Sequence, residues 1–338
     1  MSNKLLQCFY LFIIILILVN EYFDNKKKKE AFLNYRKCNK DLKLRIKTLF
    51  EKNKFSKNMK KWDLFLPCGY TNVENELRNL KCDNFKGKFI FAIDGCDKIV
   101  SKYYLWKTLY EYYGNNYSKY IPKTYLCNAI GLNDIIRNHK PGNKYIGKKD
   151  IQRQNGLTII HNLEDIPNLF LDDHNIVIQE LLNNPYLISD LKINIRIYLL
   201  IICKNNKMEA YVHENGFIYY TPEKFKYESI NKNNHITTGY IDRKIYINNP
   251  LTLDELYLKI NSNNNKILKK NIYILFNSLM KAFHYKLGKN NKFKNTTRFQ
   301  LFGCDVAPDK NLNVKLIEIN KGPDLDAKDK KDNLVKEE

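Results

Sequence analysis

The segment FQLFGCDVAPDKNLNVKLIEIN constrains the fold of this chain more than any other. Two apolar runs flank the polar stretch APDKN, a pattern that predicts an antiparallel hairpin. Each run nevertheless contains a carboxylate, Asp305 in the first and Glu318 in the second. In a hairpin centred near Asn311, Asp305 lies opposite Ile317 or Glu318, and side chains so placed approach within about 5 Å. Two like charges at that distance repel each other unless a cation or a proton lies between them.

Asn320 adds a third oxygen-bearing side chain to this pair. Because Glu318 and Asn320 are two positions apart on one strand, their side chains point to the same face. Hard oxygen ligands of this kind suit Mg²⁺, which keeps further positions for water and phosphate. The alternative is structural: Asp305 belongs to the turn and Glu318 pairs with a nearby lysine. Spacing alone does not choose between the two interpretations.

Composition limits the classes of partner. The 338 residues suffice for one large domain or for two or three small ones. The formal charge of +21 favours polyanions, which include nucleic acid, anionic lipid, nucleotide phosphates and acidic peptide tails. The eight cysteines form no C-x-x-C pair, and a chain of this length needs no disulfide framework, so we expect reduced thiols.

The apolar run LLQCFYLFIIILILV, from Leu5 to Val19, predicts an N-terminal membrane anchor over residues 1–24. A cleaved signal and a soluble helix are the alternatives. Four lysines, Lys26 to Lys29, follow the run, and the positive-inside rule then places the rest of the chain in the cytosol. We therefore expect a membrane-anchored protein whose folded domain faces the cytosol. The basic segment 25–66 is predicted to be a helical linker, which either presents a solvated face or contacts anionic headgroups.

The remaining chain mixes strand and helix patterns without strict alternation, so the predicted class is α+β with antiparallel sheet. KYIGKKDIQRQNGLTII has the pattern of two strands with a polar loop between them. LKINIRIYLLIIC predicts a central strand, and MEAYVHENGFIYYT predicts a hairpin around Glu214-Asn215-Gly216. The folded unit is expected to begin near Cys68, and nothing after Asp326 is expected to fold.

Five motifs, in order, resemble those of the tubulin–tyrosine ligase-like family of ATP-grasp enzymes. FQLFGCDVAPDKNLNVKLIEINKGPDL is similar to the closing segment of that family, and VIQELLNNPYLISDLKINIRIYLLI is similar to its central block. IDGCDKIVSKYYLWKTL, KYIGKKDIQRQNGLTII and HITT resemble its N-terminal, phosphate-loop and H-L-T-N elements. The resemblance implies an ATP-grasp-like α+β fold of mostly antiparallel sheets with flanking helices, in which two sheet-containing lobes hold ATP. It covers a domain of residues 67–325, followed by a disordered tail, 326–338.

The resemblance also implies roles for individual residues. The residues expected to bind ATP are Lys98, Lys148, Arg153, Gln154, Gly156, Gln179, Glu180, Leu181 and Leu182. Lys192 and Arg196 are the implied catalytic residues, and their i, i+4 spacing on a strand places both on one face. Asp305, Glu318 and Asn320 are the implied Mg²⁺ ligands.

Three positions depart from the family pattern. Asn194 stands where an aspartate is expected, and Tyr219 or Tyr220 stands where an arginine often follows the hairpin. HITT ends in Thr238 where the family has an asparagine. These positions belong to the side of the site that binds the amino acid and the acceptor, so nucleotide binding is the better supported part of the prediction.

The implied reaction is ATP- and Mg²⁺-dependent ligation of an amino acid to a protein carboxylate through an acyl phosphate. The expected substrates are an acidic, tubulin-like tail and a free amino acid, and a monomer is expected. One alternative is a membrane-tethered ATP-binding protein that binds acidic tails without catalysis. A second alternative is a basic nucleic-acid-binding protein, which the charge alone supports.

Overall fold

A computed structural model describes residues 31–33, 55–56, 62–67, 73–149, 156–167 and 175–337. The strands are β1 (Ala31–Leu33), β2 (Phe55–Ser56), β3 (Leu64–Leu66), β4 (Phe89–Ile90), β5 (Thr124–Leu126), β6 (Tyr145–Lys149), β7 (Leu157–Ile160), β8 (Asn175–Glu180), β9 (Leu187–Ile188), β10 (Leu191–Lys204), β11 (Lys207–Tyr220), β12 (Thr297–Pro308) and β13 (Val314–Asn320). The α-helices are α1 (Val73–Asn79), α2 (Cys96–Val100), α3 (Lys102–Tyr113), α4 (Ala129–Asn138), α5 (Leu253–Lys259), α6 (Ser262–Phe283) and α7 (Lys330–Glu337).

The larger of the two sheets has β10 and β12 at its centre. Its strand order is β11-β10-β12-β4-β3-β1-β2, with β13 also paired to β12 and β9 to β10. The pairs around β10 and the β12–β13 pair are antiparallel, whereas β4, β3, β1 and β2 continue the sheet in parallel. The almost continuously apolar sequence of β10 is explained by burial along most of its length, as predicted for a central strand.

The smaller sheet has the order β5-β8-β6-β7, and all its pairs are antiparallel. The helix α4 accompanies it, and the side chain of its N-cap residue, Asn128, accepts a hydrogen bond from the amide of Gly131. Its small apolar core includes Tyr125, Tyr145 and Ile178. Two sheets with separate cores thus form the two lobes, and the predicted α+β, ATP-grasp-like architecture is confirmed.

The main core lies between the larger sheet and α6. Leu268, Ile272, Leu275 and Leu279 recur at spacings of three and four residues and are buried, so they form one apolar stripe. That stripe packs in the same cluster as the buried isoleucines of β10 and residues of β13. The helix therefore supports the strands that carry the predicted metal ligands.

The hairpin predicted around Asn215-Gly216 is wrong. β11 continues through both residues, and the chain reverses instead at Asn205 and Asn206, whose φ angles are 50° and 62°. Asparagine tolerates this left-handed conformation, which a tight two-residue hairpin requires. At Gly216 the pairing with β10 shifts register, and an added Cβ would lie 2.2 Å from the carbonyl oxygen of Arg196.

The predicted segment boundaries also differ from the structure. Within 25–66, predicted to be a helical linker, the described residues form β1, β2 and β3. Trp62 and the side chains of β3 are buried in the core, so folded structure begins before residue 67. The predicted disordered tail, 326–338, contains α7, whose Asp332 and Val335 are buried against the rest of the domain.

The predicted membrane-anchored localisation is corrected. Across the described ranges, no helix combines the length and apolar character that crossing a bilayer requires. The run from Leu5 to Val19, on which that prediction rested, lies outside the described residues.

Candidate functional site

Residues of both sheets line a cleft of about 1040 Å³. Its wall contains most of the predicted site residues, namely Lys148, Gln179, Glu180, Leu181, Leu182, Lys192, Arg196, Asp305, Glu318 and Asn320. Residues 235–240, which follow β11, complete the wall on the side of the larger sheet. The cleft thus brings together the predicted cationic, hinge and carboxylate groups.

Three neighbouring strands carry the cluster of side chains around the two acids. Asp305 on β12 pairs with Glu318 on β13 on one side, at a register shift, and with Arg196 on β10 on the other. The Nη2 atom of Arg196 donates to Oδ2 of Asp305 at 2.9 Å, and Nε donates to the other carboxylate oxygen. Asn320 donates from Nδ2 to Oε1 of Glu318 at 3.1 Å. The predicted cross-strand placement of the two acids is therefore what the fold produces.

The two carboxylates differ in proton affinity. Burial raises the pKa of Asp305 to about 6, and the charge of Glu318 adds to the rise, while Arg196 opposes it. Burial would also raise the pKa of Glu318, but the hydrogen bond from Asn320 and the charges of Arg196 and Lys148 lower it below its usual value. Glu318 is thus held ionised, and a proton shared by the pair would lie on Asp305.

The donor set fits Mg²⁺. Two carboxylates face each other across a strand pair, an amide side chain adjoins one of them, and all three side chains line the cleft. In the described part of the chain, no group of three or more His, Cys, Asp or Glu residues is placed to hold a metal ion. A cation here would therefore rely on two acids and an amide, and Mg²⁺ commonly takes its other ligands from water and phosphate.

Two buried lysines line the cleft from different sheets. Burial lowers the pKa of Lys148, on β6, to about 8, although the charge of Glu318 raises it. Burial, followed by the like charge of Lys148, lowers the pKa of Lys192 to about 8. Lys192 donates from Nζ to the carbonyl oxygen of His235 at 2.9 Å. Two buried ammonium groups that repel each other across a cleft are arranged to receive an anion between them.

The predicted hinge lies where β8 leaves the smaller sheet. Gln179 and Glu180 end β8, and the chain then passes through Leu181 and Leu182 towards β9 and β10. The Nε2 atom of Gln179 donates to Thr124 at 2.9 Å, whereas its buried Oε1 has no partner among the described residues. Glu180 accepts a hydrogen bond from the hydroxyl of another residue of the smaller sheet, so its carboxylate has a structural partner.

Lys98, which was predicted to bind ATP, lies outside the cleft wall. It is exposed on α2 and does not line the cleft, because α2 buries the neighbouring Ile99 instead. The helix breaks at Ser101, whose φ and ψ are −69° and 132°, and α3 begins at Lys102. Lys102 lines the cleft and acts electrostatically on Lys148. Of the two lysines in the segment DKIVSK, Lys102 is thus the one that lines the cleft.

The flap between β6 and β7 is only partly described. Arg153 and Gln154 lie outside the described residues. Gly156 has a φ angle of 75°, and its carbonyl oxygen accepts from the amide of Lys149 at 2.9 Å. Gly156 does not line the cleft. A φ angle in this range favours glycine, so Gly156 allows the turn by which the chain returns to β7 and does not form the cleft wall.

The departures from the family pattern also line the cleft. Asn194 is paired with Tyr219 across β10 and β11, and its buried Oδ1 has no partner among the described residues. The ring of Tyr219 lies 5.2 Å from the guanidinium of Arg196. Sequence reasoning did not select Arg243 or Lys336, which line the far end of the cleft and pair with Asp332 of α7. Only the folding of α7 onto the domain reveals them.

A family model supplies independent evidence. The model described as the tubulin-tyrosine ligase family matches residues 86–338, which include every cleft residue named above. This chain belongs to the tubulin-tyrosine ligase family. The match extends through α7, so the helix that closes the far end of the cleft falls within the family region.

Curated relatives of this family member share about a quarter of its residues over the matched regions. Tubulin glycylase 3B of Drosophila melanogaster is 24% identical over 214 residues, 57% of this chain and 28% of that protein. Probable beta-tubulin polyglutamylase of Tetrahymena thermophila is 24% identical over 248 residues, 64% of this chain and 20% of that protein. Probable tubulin polyglutamylase TTLL2 of Homo sapiens is 25% identical over 254 residues, which are 68% of this chain and 41% of that protein. The chain thus spans between a fifth and about two fifths of their lengths.

Proposed function

We propose that this chain is an ATP- and Mg²⁺-dependent ligase that joins a free amino acid to a carboxylate of an acidic, tubulin-like protein tail. The observation that carries the proposal is the convergence in one cleft of two buried lysines and an oxygen-donor set. The names of the relatives, a glycylase and polyglutamylases of tubulin, support the class of substrate.

The residues of the cleft would have separate roles in binding ATP and Mg²⁺. Lys148 and Lys102 would neutralise the phosphates of ATP, and the segment from Gln179 to Leu182 would contact the base. Asp305, Glu318 and Asn320 would hold Mg²⁺, which neutralises phosphate charge when bound. Further cations and backbone amides around the transferring group would lower its barrier, because preorganised charges cost little reorganisation during the reaction.

Lys192 and Arg196 would stabilise the negative charge that develops on the acceptor side. In the first step, an acceptor carboxylate oxygen attacks the terminal phosphorus of ATP and ADP leaves. In the second step, the amine nitrogen of the amino acid attacks the acyl carbon, phosphate leaves with its bridging oxygen, and the amine gives up a proton. The formal charge of +21 would attract an acidic tail before specific contacts form.

A second candidate keeps the fold without the chemistry: an ATP-binding protein that binds acidic tails. It is favoured by Asn194, a neutral side chain with an unpartnered oxygen between Lys192 and Arg196, where the family pattern has an aspartate. The Asp305, Glu318 and Asn320 set argues against it. A nucleic-acid-binding protein, the remaining candidate, has only the net charge in its favour.

The test is ADP release by the purified full chain with Mg-ATP, each amino acid in turn, and acidic tubulin-tail peptides. We expect release that requires both a particular amino acid and the peptide, together with a peptide heavier by one residue in mass spectrometry. Tight ATP binding with no release under any combination would reject the ligase and support the second candidate.

A further inference from the structure

A loop of the larger sheet is fastened to the smaller sheet. Residues 221–238 follow β11, and their midpoint reaches the turn before β6. Lys144 donates from Nζ to the carbonyl oxygen of Tyr227 at 2.9 Å and forms an ion pair with Glu228. Its ammonium lies 4.5 Å from the centre of the Tyr227 ring. The Tyr227 hydroxyl donates to the carbonyl oxygen of Gly142 at 2.9 Å, so the contact runs in both directions.

Lys144 is also tied to the hinge. Its carbonyl oxygen accepts a hydrogen bond from the amide of Leu181 at 2.8 Å, and Leu181 lines the cleft. The residue is only 4% exposed, although a lysine is usually found at the surface. The buried ammonium of Lys144 donates to a backbone carbonyl on the other lobe. Separating the two groups would leave the ammonium without an acceptor, which costs free energy, so the contact holds that backbone in place.

The other end of the same loop holds a predicted catalytic residue. The Nε2 atom of His235 lies 2.6 Å from the carbonyl oxygen of Ser229, and because a carbonyl only accepts, Nε2 carries the proton. This bond turns the loop back on itself and presents the carbonyl oxygen of His235, which accepts from Lys192 at 2.9 Å. Residues 235–240 then continue as cleft wall.

We propose that Lys144 is a positioning residue that fastens loop 221–238 to the nucleotide-binding lobe and, through His235, sets the position of Lys192. The inference rests on the proposed ligase function for the role of Lys192, but the fastening itself concerns the loop alone. Lys144 contacts neither reacting group, so its effect is on geometry.

The experiment compares Lys144→Met with Lys140→Met, an exposed lysine four residues earlier that loses the same charge. Amide hydrogen exchange is measured over residues 225–237, with kcat for ADP release and Kd for Mg-ATP. We expect Lys144→Met to speed exchange in this loop about tenfold. We also expect kcat to fall about tenfold or more, because a small displacement of a positioned catalytic group strongly lowers the reaction rate. The Kd for Mg-ATP should rise by a smaller factor than kcat falls, because Lys148 and Lys102, which would also bind the phosphates, are not carried by this loop. Lys140→Met should match wild type.

Lys144→Arg should restore loop protection and much of kcat, because guanidinium also donates to a carbonyl. A protected loop in folded Lys144→Met, or a wild-type kcat beside a loosened loop, would overturn the inference. If Lys144→Met does not fold, Tyr227→Leu, which removes the ring and hydroxyl contacts from the loop side, takes its place with the same expectations. If wild type releases no ADP, the proposed function fails, and hydrogen exchange still decides whether Lys144 fastens the loop.

Discussion

Asp305 and Arg196 lie directly opposite each other on antiparallel strands, and Arg196 holds both carboxylate oxygens of Asp305. On its other side, Asp305 faces Glu318. One carboxylate is thus placed between a cation that balances its charge and an anion that opposes it. Glu318 is the acid of this pair whose negative charge is retained.

Glu318→Gln should abolish amino-acid-dependent ADP release, because the amide keeps the shape but removes the ionised ligand of the metal set. Mg²⁺-dependent strengthening of ATP binding, measured by titration calorimetry, should disappear with it. The control is Glu214→Gln, the same change at an exposed glutamate of β11, which should leave both unchanged. Wild-type turnover in Glu318→Gln would remove the metal assignment.

ATP affinity should weaken as the pH rises from about 7 to about 9. The pKa values of Lys148 and Lys192 are each lowered to about 8, mainly by burial, so both ammonium groups are charged below pH 8 and neutral above it. Lys148→Met should lower affinity about tenfold at pH 7, consistent with one charged hydrogen bond. It should also shift the remaining pH dependence upward, because the charge of Lys148 contributes to the lowered pKa of Lys192.

The matched control for this titration is Lys149→Met. Lys149 adjoins Lys148 on β6, but it does not line the cleft, and its side chain packs beside Gly156. Its replacement should leave the affinity and its pH dependence close to wild type. Equal losses in the two variants would mean that net charge, rather than position in the cleft, sets the affinity.

Arg196→Gln should lower the free energy of unfolding by about 3–5 kcal/mol, because it leaves the buried carboxylate of Asp305 without its cation. Chemical denaturation measures the change. Arg137→Gln, at an exposed arginine in the last turn of α4, is the comparison and should cost little. A loss below about 1 kcal/mol, the range of surface pairs, would show that the ion pair contributes no more than an exposed one.

Asn194→Asp should raise the pKa of Lys192 and move the loss of ATP affinity to higher pH. The new carboxylate would lie between Lys192 and Arg196 on the same face of β10, and an opposite charge favours the ammonium form. The pH profile of Mg-ATP binding is the measurement. Asn206→Asp, in the exposed turn between β10 and β11, serves as control. An unshifted profile would mean that a charge at position 194 has no effect on the pKa of Lys192.

The hairpin and the central strand could be predicted because local rules decide them. Apolar runs around a polar turn specify pairing, and a two-residue period places Glu318 and Asn320 on one face. The turn at Asn215-Gly216 was predicted wrongly, and Lys98 lies outside the cleft wall, because a local pattern does not show where a helix breaks or how far a strand stays paired. The helix breaks at Ser101, and the pairing of β11 with β10 continues through Gly216.

The sequence by itself determined the side-chain types and strand spacing of the candidate site residues: the acids and amide of the closing hairpin, the lysine of β6, and the cations of β10. Their side-chain types and strand spacing are local properties. Only the tertiary structure decided that Arg196 neutralises Asp305, that Lys102 rather than Lys98 lines the cleft, and that Lys144 joins the two lobes. These relations arise from burial and contacts between segments far apart in the chain, and no local pattern encodes them.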